Sequence, residues 1–206
     1  MKEAPRKENW TMSEKLSFDR KVGHLTDVTF IVGKDECSAT FKAHKLILAN
    51  VNAVFEKEFQ NQSTDQLKDP IRIKDLKPAG FAILLDFLYD QHVSIQSLPT
   101  AVETFTAAFK YEVNSLMRYC ENYVIGIVNR DNAVPILRLA IKLKMRFVKR
   151  ISTIVIQENA DYILSSHEFI ELPWHMVKRI TEMKHLKASK MQISYAVVRW
   201  KTSNNA

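Results

Sequence analysis

The hydrophobic periodicity of this chain changes once, near Asn129, and that change limits the folds open to it. Before it, segments of period 2 alternate with segments of helical period. After it, every apolar segment repeats at helical spacing. In "DVTFIVG", Val28, Phe30 and Val32 alternate with Thr29 and Ile31, and Gly33 ends the run, which reads as a strand. "CSATFKA" reads as its hairpin partner, and "IRIKD" and "HVSI" as two further short strands. "SEKLSFDRKVGHL" reads as a first helix with Leu16 and Val22 on its apolar side. "HKLILAN" and "NAVFEKEFQ" read as short helices, with Asn50 or Asn52 as a cap. In "PAGFAILLDFLYD", Phe81, Leu84, Leu85 and Leu88 sit at i, i+3, i+4 and i+7. "PTAVETFTAAFKYEV" opens at Pro99 and sets Phe105, Ala108 and Phe109 on one face. "NSLMRYCENYVIGIV" places Leu116, Tyr119, Cys120, Tyr123 and Ile127 at helical spacing. Beyond Asn129 come four helical segments, with Asp131 and Ser189 expected as N-caps and Pro173 opening a helix. Strands mixed with helices, then helices alone, predict an α+β domain followed by an all-α one, with the boundary at Val128–Asp131. Residues 1 to 13 are polar and are expected to be unstructured.

Charge follows the same division. Up to Ile125 the chain has 16 Lys+Arg against 17 Asp+Glu, and from Gly126 on it has 14 against 6. The helical part carries +8 and the rest −1, so the net +7 comes from the helical part, and such asymmetry suggests a second domain or a charged partner. Four glycines (Gly23, Gly33, Gly80, Gly126) leave little material for a phosphate-binding loop. Cys37 and Cys120 stand far apart, as free thiols of a reducing compartment do. The start "MKEAPRKENW" has no apolar core of a signal peptide, and no apolar run reaches membrane-spanning length.

Catalytic constellations are missing from the sequence. There is no Gly-x-Ser-x-Gly, and Gly33-Lys34 lacks the rest of a P-loop. The six histidines (His24, His44, His92, His167, His175, His185) are scattered and give no metal-ligand spacing. The expectation is therefore no enzyme, no cofactor and no metal. The basic run "RLAIKLKMRFVKR" could contact phosphates, but Leu139, Ile141, Leu143, Phe147 and Val148 keep helical spacing, so it reads as the solvated face of two helices. Nucleic acid and membrane are not expected partners. Tyr89, at a helix end beside Asp90, Gln91 and His92, reads as an aromatic able to face a partner.

The order "LTDVTFIVG", "FKAHKLILAN", "NAVFEKEF" and "IRIKDLKPAGFAILLDFLYDQHVSI" resembles a BTB/POZ domain, over about residues 14–128. The part from 131 to 206, ending in "SYAVVRW", resembles the start of a BACK domain. With Asn9-Trp10, the pattern is similar first to BTB-BACK proteins that carry a PHR domain and next to Kelch-type ones. The resemblance implies a small mixed sheet flanked by helices, then BACK helices. It implies a homodimer formed through Leu16, Phe18, Val22, Asp27, Lys45 and Ala49, with Asp27 and Lys45 as a partly buried charge pair and His44 bonded to local backbone. It implies an adaptor for a cullin-3 ubiquitin ligase that recruits a substrate protein, with Phe55, Phe59, Ser63, Asp65, Tyr89 and His92 toward cullin-3 and residues Asn132 to Ile156 extending that surface. Ser63-Thr64-Asp65 stands where the family has an apolar residue, any residue and Glu, so the acid is kept and the apolar anchor is not. The alternatives are a self-association scaffold without ligase function and a BTB-type transcriptional regulator. Cytoplasmic location is implied, with the nucleus as a second compartment.

Overall fold

Caps and alternation set the elements of this computed structural model, which describes residues 9–61, 70–89 and 92–204. Helix α1 (Met12–Val22) opens on a capping box. Thr11 Oγ1 accepts from the Glu14 amide at 3.2 Å, and Glu14 Oε2 accepts from the Thr11 amide at 2.7 Å. Hydrogen bonds from the Thr11 amide and hydroxyl hold the Glu14 carboxyl below its usual range. The helix thus starts inside the segment expected to be unstructured, and Trp10 packs edge-on against Phe18, 5.3 Å between centroids. Residues 1–8 lie outside the described part.

Strand β1 (Val28–Val32) is the centre of a mixed three-stranded sheet. β2 (Ala39–Ala43) runs antiparallel to it, with Phe30 opposite Phe41. β3 (Ile71–Ile73) runs parallel, with Phe30 opposite Ile71. Val28, Phe30 and Val32 face the core, as their alternation requires. The expected strand "HVSI" does not form. Its Ile95 is buried, and the Val93 carbonyl accepts from the Tyr119 hydroxyl at 2.9 Å, so a side chain holds this segment where a ladder was expected.

Helices α2 (Lys45–Val51) and α3 (Ala53–Gln60) meet at Asn52, whose Oδ1 accepts from the Val54 and Phe55 amides at 3.1 Å. Asn50 is no cap; its amide nitrogen donates to the Leu46 carbonyl. Helices α4 (Pro78–Leu88) and α5 (Leu98–Lys110) pack so closely that a Cβ on Gly80 would lie 2.3 Å from the Glu103 carbonyl oxygen. Ser97 caps α5. Phe105 and Ala108 are buried, but Phe109 is 50% exposed. Helix α6 (Asn114–Ile127) buries Leu116 and Cys120, and burial pushes the Cys120 thiol up to about 12. Aromatic rings hold the core around the sheet: Phe30 and Phe81 are 5.3 Å apart, and Phe55 and Tyr111 stack at 4.2 Å.

The chain divides into two compact units, Met1–Tyr123 and Val124–Ala206. The second holds α7 (Ala133–Leu143), α8 (Arg146–Glu158), α9 (Ala160–Ser165), α10 (His167–Ile170), α11 (Trp174–Thr181) and α12 (Lys190–Asn204). Leu137, Ile156, Leu164, Phe169, Val177 and Ile180 build its core. Asp131 does not cap α7. It accepts from the Tyr162 hydroxyl at 2.7 Å, while Asn132 immediately precedes the helix and donates to the Ile127 carbonyl at 2.8 Å. Ser189 does cap α12, with Oγ accepting from the Gln192 amide at 3.2 Å. Pro173 stands directly before α11. Arg199 donates to the Ser165 and Ser166 carbonyls at 3.0 and 2.8 Å, satisfying the end of α9. The architecture is α+β followed by a helical region.

Candidate interaction surface

Helix α1 is amphipathic in reverse. Its buried residues are Ser17 and Arg20, one turn apart. Its apolar residues point the other way: Met12 is 71% and Val22 52% exposed, and Leu16 and Phe18 are half-buried. A surface helix ordinarily turns its apolar stripe inward. Here the inward side is polar because Arg20 has specific partners. Its guanidinium pairs with Asp86 of α4 and lies 5.1 Å from the centre of the Tyr89 ring. Lys21 reaches the same carboxylate at 3.5 Å.

Tyr89 then connects α4 to the start of α2. Its hydroxyl oxygen accepts from the His44 amide at 2.9 Å and contacts His44 Nδ1 at 2.9 Å. His44 Nε2 lies 2.9 Å from the His24 carbonyl oxygen. A carbonyl only accepts, so Nε2 bears the hydrogen. In the neutral ring Nδ1 then accepts from the Tyr89 hydroxyl. Burial pushes that hydroxyl's pKa up, against the His44 amide and the Arg20 charge, which favour its ionised form. The chain Asp86–Arg20–Tyr89–His44–His24 ties α4, the start of α2 and the turn after α1 into one polar unit. Around it, Leu25 in that turn is 80% exposed, and Leu46 and Val51 of α2 are 73% and 52% exposed. Leu48 is the buried residue of α2.

The residues expected at a dimer interface separate into two sets. Leu16, Phe18, Lys45 and Ala49 are partly exposed and Val22 is exposed. Asp27 is exposed too, but it meets Lys45 through the backbone: Oδ1 accepts from the Lys45 amide at 2.7 Å. The expected charge pair is thus a cap on α2, and Lys45 Nζ lies 5.6 Å from the centre of the Phe59 ring. His44 does not bond local backbone as expected: its ring meets the His24 carbonyl, 20 residues away in sequence, and the Tyr89 hydroxyl.

Two residues expected to face cullin-3 are in the core. Phe55 is fully buried between Phe30, Phe59 and Tyr111, and Tyr89 is 3% exposed. Their helical neighbours explain this: each closes a helix onto the aromatic core or the Arg20 network. Phe59 is half-buried and His92 exposed. Ser63 and Asp65, like Asp90 and Gln91, lie outside the described residues. Sequence reasoning missed Arg20, Asp86, Met12, Leu25 and Val51. A signal for α1 was present, since Ser17 and Arg20 share a face one turn apart, but the partners of Arg20 come from residues 86 and 89. Among the described residues no group of three His, Cys, Asp or Glu could hold a metal ion. No described helix is long and apolar enough to cross a membrane.

Comparison with known proteins gives this arrangement a context. A family model described as "BTB/POZ domain" matches residues 17–128, just over half of the chain. Human BTB/POZ domain-containing protein 6 is 28% identical over 176 residues, covering 85% of this chain and 32% of that protein. Its Xenopus laevis namesake is 30% identical over 176 residues, 85% of this chain and 33% of that protein. Human BTB/POZ domain-containing protein 3 is 27% identical over the same length, again 85% and 33%. The chain spans about a third of the length of these curated relatives. Among solved structures, the BTB domain of zebrafish PATZ1 gives a TM-score of 0.45 at 27% identity, over 55% of this chain and 87% of that one.

Proposed function

This chain belongs to the BTB/POZ domain family, and from that premise we propose a homodimeric, non-enzymatic adaptor that binds cullin-3 and brings a substrate protein to ubiquitination. A domain of this family is a protein-interaction module. The observation that supports self-association here is the reversed amphipathicity of α1. Ser17 and Arg20 are committed inward, which leaves Met12 and Val22 exposed on the opposite side. Leu25, Leu46 and Val51 add exposed apolar side chains in the turn and helix joined to α1 by the His44–His24 bond. Two copies meeting through such a face would bury these side chains, at roughly 25 cal/mol for each Å² of apolar surface removed from water.

The cullin-3 step rests on the family resemblance, with half-buried Phe59 and exposed His92 as the described residues available for contact. The region from α7 onward stands where BTB-BACK proteins begin their BACK domain, and we assign it that role. The proposed compartment is the cytoplasm, with access to the nucleus.

The experiment has two arms. Sedimentation of the full chain is expected to give a dimer, and Val22→Glu with Leu46→Glu a monomer of unchanged circular dichroism; a monomeric parent chain would end the self-association reading. Calorimetric titration with the N-terminal part of cullin-3 is expected to show binding at or below tens of micromolar, roughly −6 to −7 kcal/mol. No heat at that concentration would remove the ligase role and leave a self-associating scaffold. That second reading draws on Ser63-Thr64-Asp65, which lacks the apolar anchor such loops place in a partner's pocket. It predicts that Ser63→Leu creates or strengthens cullin-3 binding.

A further inference from the structure

On α7, Arg138 and Lys142 stand at i and i+4, and on α11 His175 and Arg179 do the same. All four are exposed and line one open groove of about 490 Å³. Leu139 and Met176 supply apolar surface to it, and no carboxylate lines it. Among the described residues, no acidic side chain lies within ion-pair distance of Arg138, Lys142 or Arg179. Other basic residues of the same unit are satisfied differently. Lys178 meets Glu182 at 3.9 Å, Lys187 pairs with Glu158, and Arg199 is spent on the carbonyls at the end of α9.

Arg138 and Lys142, like charges at i and i+4, destabilise α7, and Arg179 adds a third cation to the same groove. A solvated face gains nothing from that arrangement. An anionic partner entering the groove relieves that repulsion. The apolar surface restricts the partner further. A phosphate chain would neutralise the rim but leave Leu139 wet. A helix with an apolar stripe and flanking carboxylates satisfies floor and rim together.

We propose that the α7–α11 groove docks an acidic amphipathic helical segment of a partner protein. The excess of 14 basic over 6 acidic residues from Gly126 onward steers such a segment toward it. The groove lies wholly within the helical unit, so its failure would leave the self-association reading standing.

The test is a fluorescence-anisotropy titration of the full chain with a labelled helical peptide of about 18 residues made of Glu, Leu and Ala, its leucines on one face. The comparisons are a peptide of the same composition with its leucines spread around the helix, and a single-stranded DNA homopolymer. The one-faced peptide is expected to bind below about 100 µM, at least about tenfold more tightly than the scrambled one, and to weaken as salt rises. Arg138→Glu with Arg179→Glu is expected to abolish binding while holding or raising the melting temperature, because the like-charge pair on α7 becomes an opposite one. Lys149→Glu with Arg150→Glu on α8, which changes the net charge equally, should weaken binding far less than the reversal at the groove. Should the double reversal unfold the chain, Leu139→Ser decides in its place, with an expected loss of the preference between the two peptides. Equal affinity for both peptides, binding that survives the reversal at the groove, tighter binding of DNA, or no peptide binding each overturns the proposal.

Discussion

At the scale of single residues, hydroxyls and carboxylates in similar settings have opposite worth, and partners decide the sign. Tyr89 accepts from an amide and contacts an imidazole nitrogen, so Tyr89→Phe orphans buried groups and is expected to cost about 1–3 kcal/mol in urea unfolding. Tyr111 is as deeply buried, but its hydroxyl has no hydrogen-bond partner among the described residues. Tyr111→Phe is therefore expected to be neutral or stabilising, and a loss comparable with that of Tyr89→Phe would show a missing partner. Asp27 tests the corrected cap: Asp27→Ala should cost about 1 kcal/mol and Asp27→Asn a few tenths, with effects additive to those of Lys45→Gln. Strong coupling between the two positions would restore the charge pair. Glu58 gives the pH dependence. Burial raises its carboxyl pKa above 4.5, against the Lys110 charge, so the folded state holds its proton more tightly than the unfolded one. Stability from this group is full in acid and falls as pH rises from the ordinary glutamate range through the raised value. Glu58→Gln should accordingly stabilise the chain at pH 7, with the gain shrinking toward pH 4.

At the scale of elements, sequence period predicted type well and surroundings poorly. The strand over 28–32, the hairpin, and α4 follow from alternation and from i, i+3, i+4, i+7 spacing, because those patterns mirror backbone geometry. "HVSI" failed for the complementary reason: a four-residue apolar-polar run becomes a strand only if a ladder edge is offered, and here a tyrosine hydroxyl takes the carbonyl. Helix α1 was placed by its apolar residues, but their direction was not legible, since Asp86 and Tyr89 lie 66 and 69 residues beyond Arg20 in sequence. The α4–α5 contact makes a sharp prediction. Gly80→Ala must push a methyl group into the Glu103 carbonyl, and a loss of about 1–3 kcal/mol with a lowered melting temperature is expected. A neutral result would mean the two helices can part at that point.

At the scale of the molecule, the two proposed contact surfaces belong to different units. Exposed apolar side chains of α1 and α2 belong to the first, and the basic groove lined by Arg138, Lys142 and Arg179 belongs to the second. A chain ending at Val128 should then retain the association state of the full chain in sedimentation while losing the peptide-binding groove; a monomer would move the contact into the helical unit.

The sequence by itself determined the α+β domain, the helical region after it and the uneven charge, because periodicity and composition are local properties of the chain. It also marked the family, through the order and spacing of its motifs. Only the tertiary structure decided which side of α1 faces inward, that Phe55 and Tyr89 serve the core, and that Arg138, Lys142, His175 and Arg179 share one groove. Those outcomes depend on residues brought together from distant positions, and which side chains meet across such distances is set by packing of whole elements, not by the pattern within any one of them.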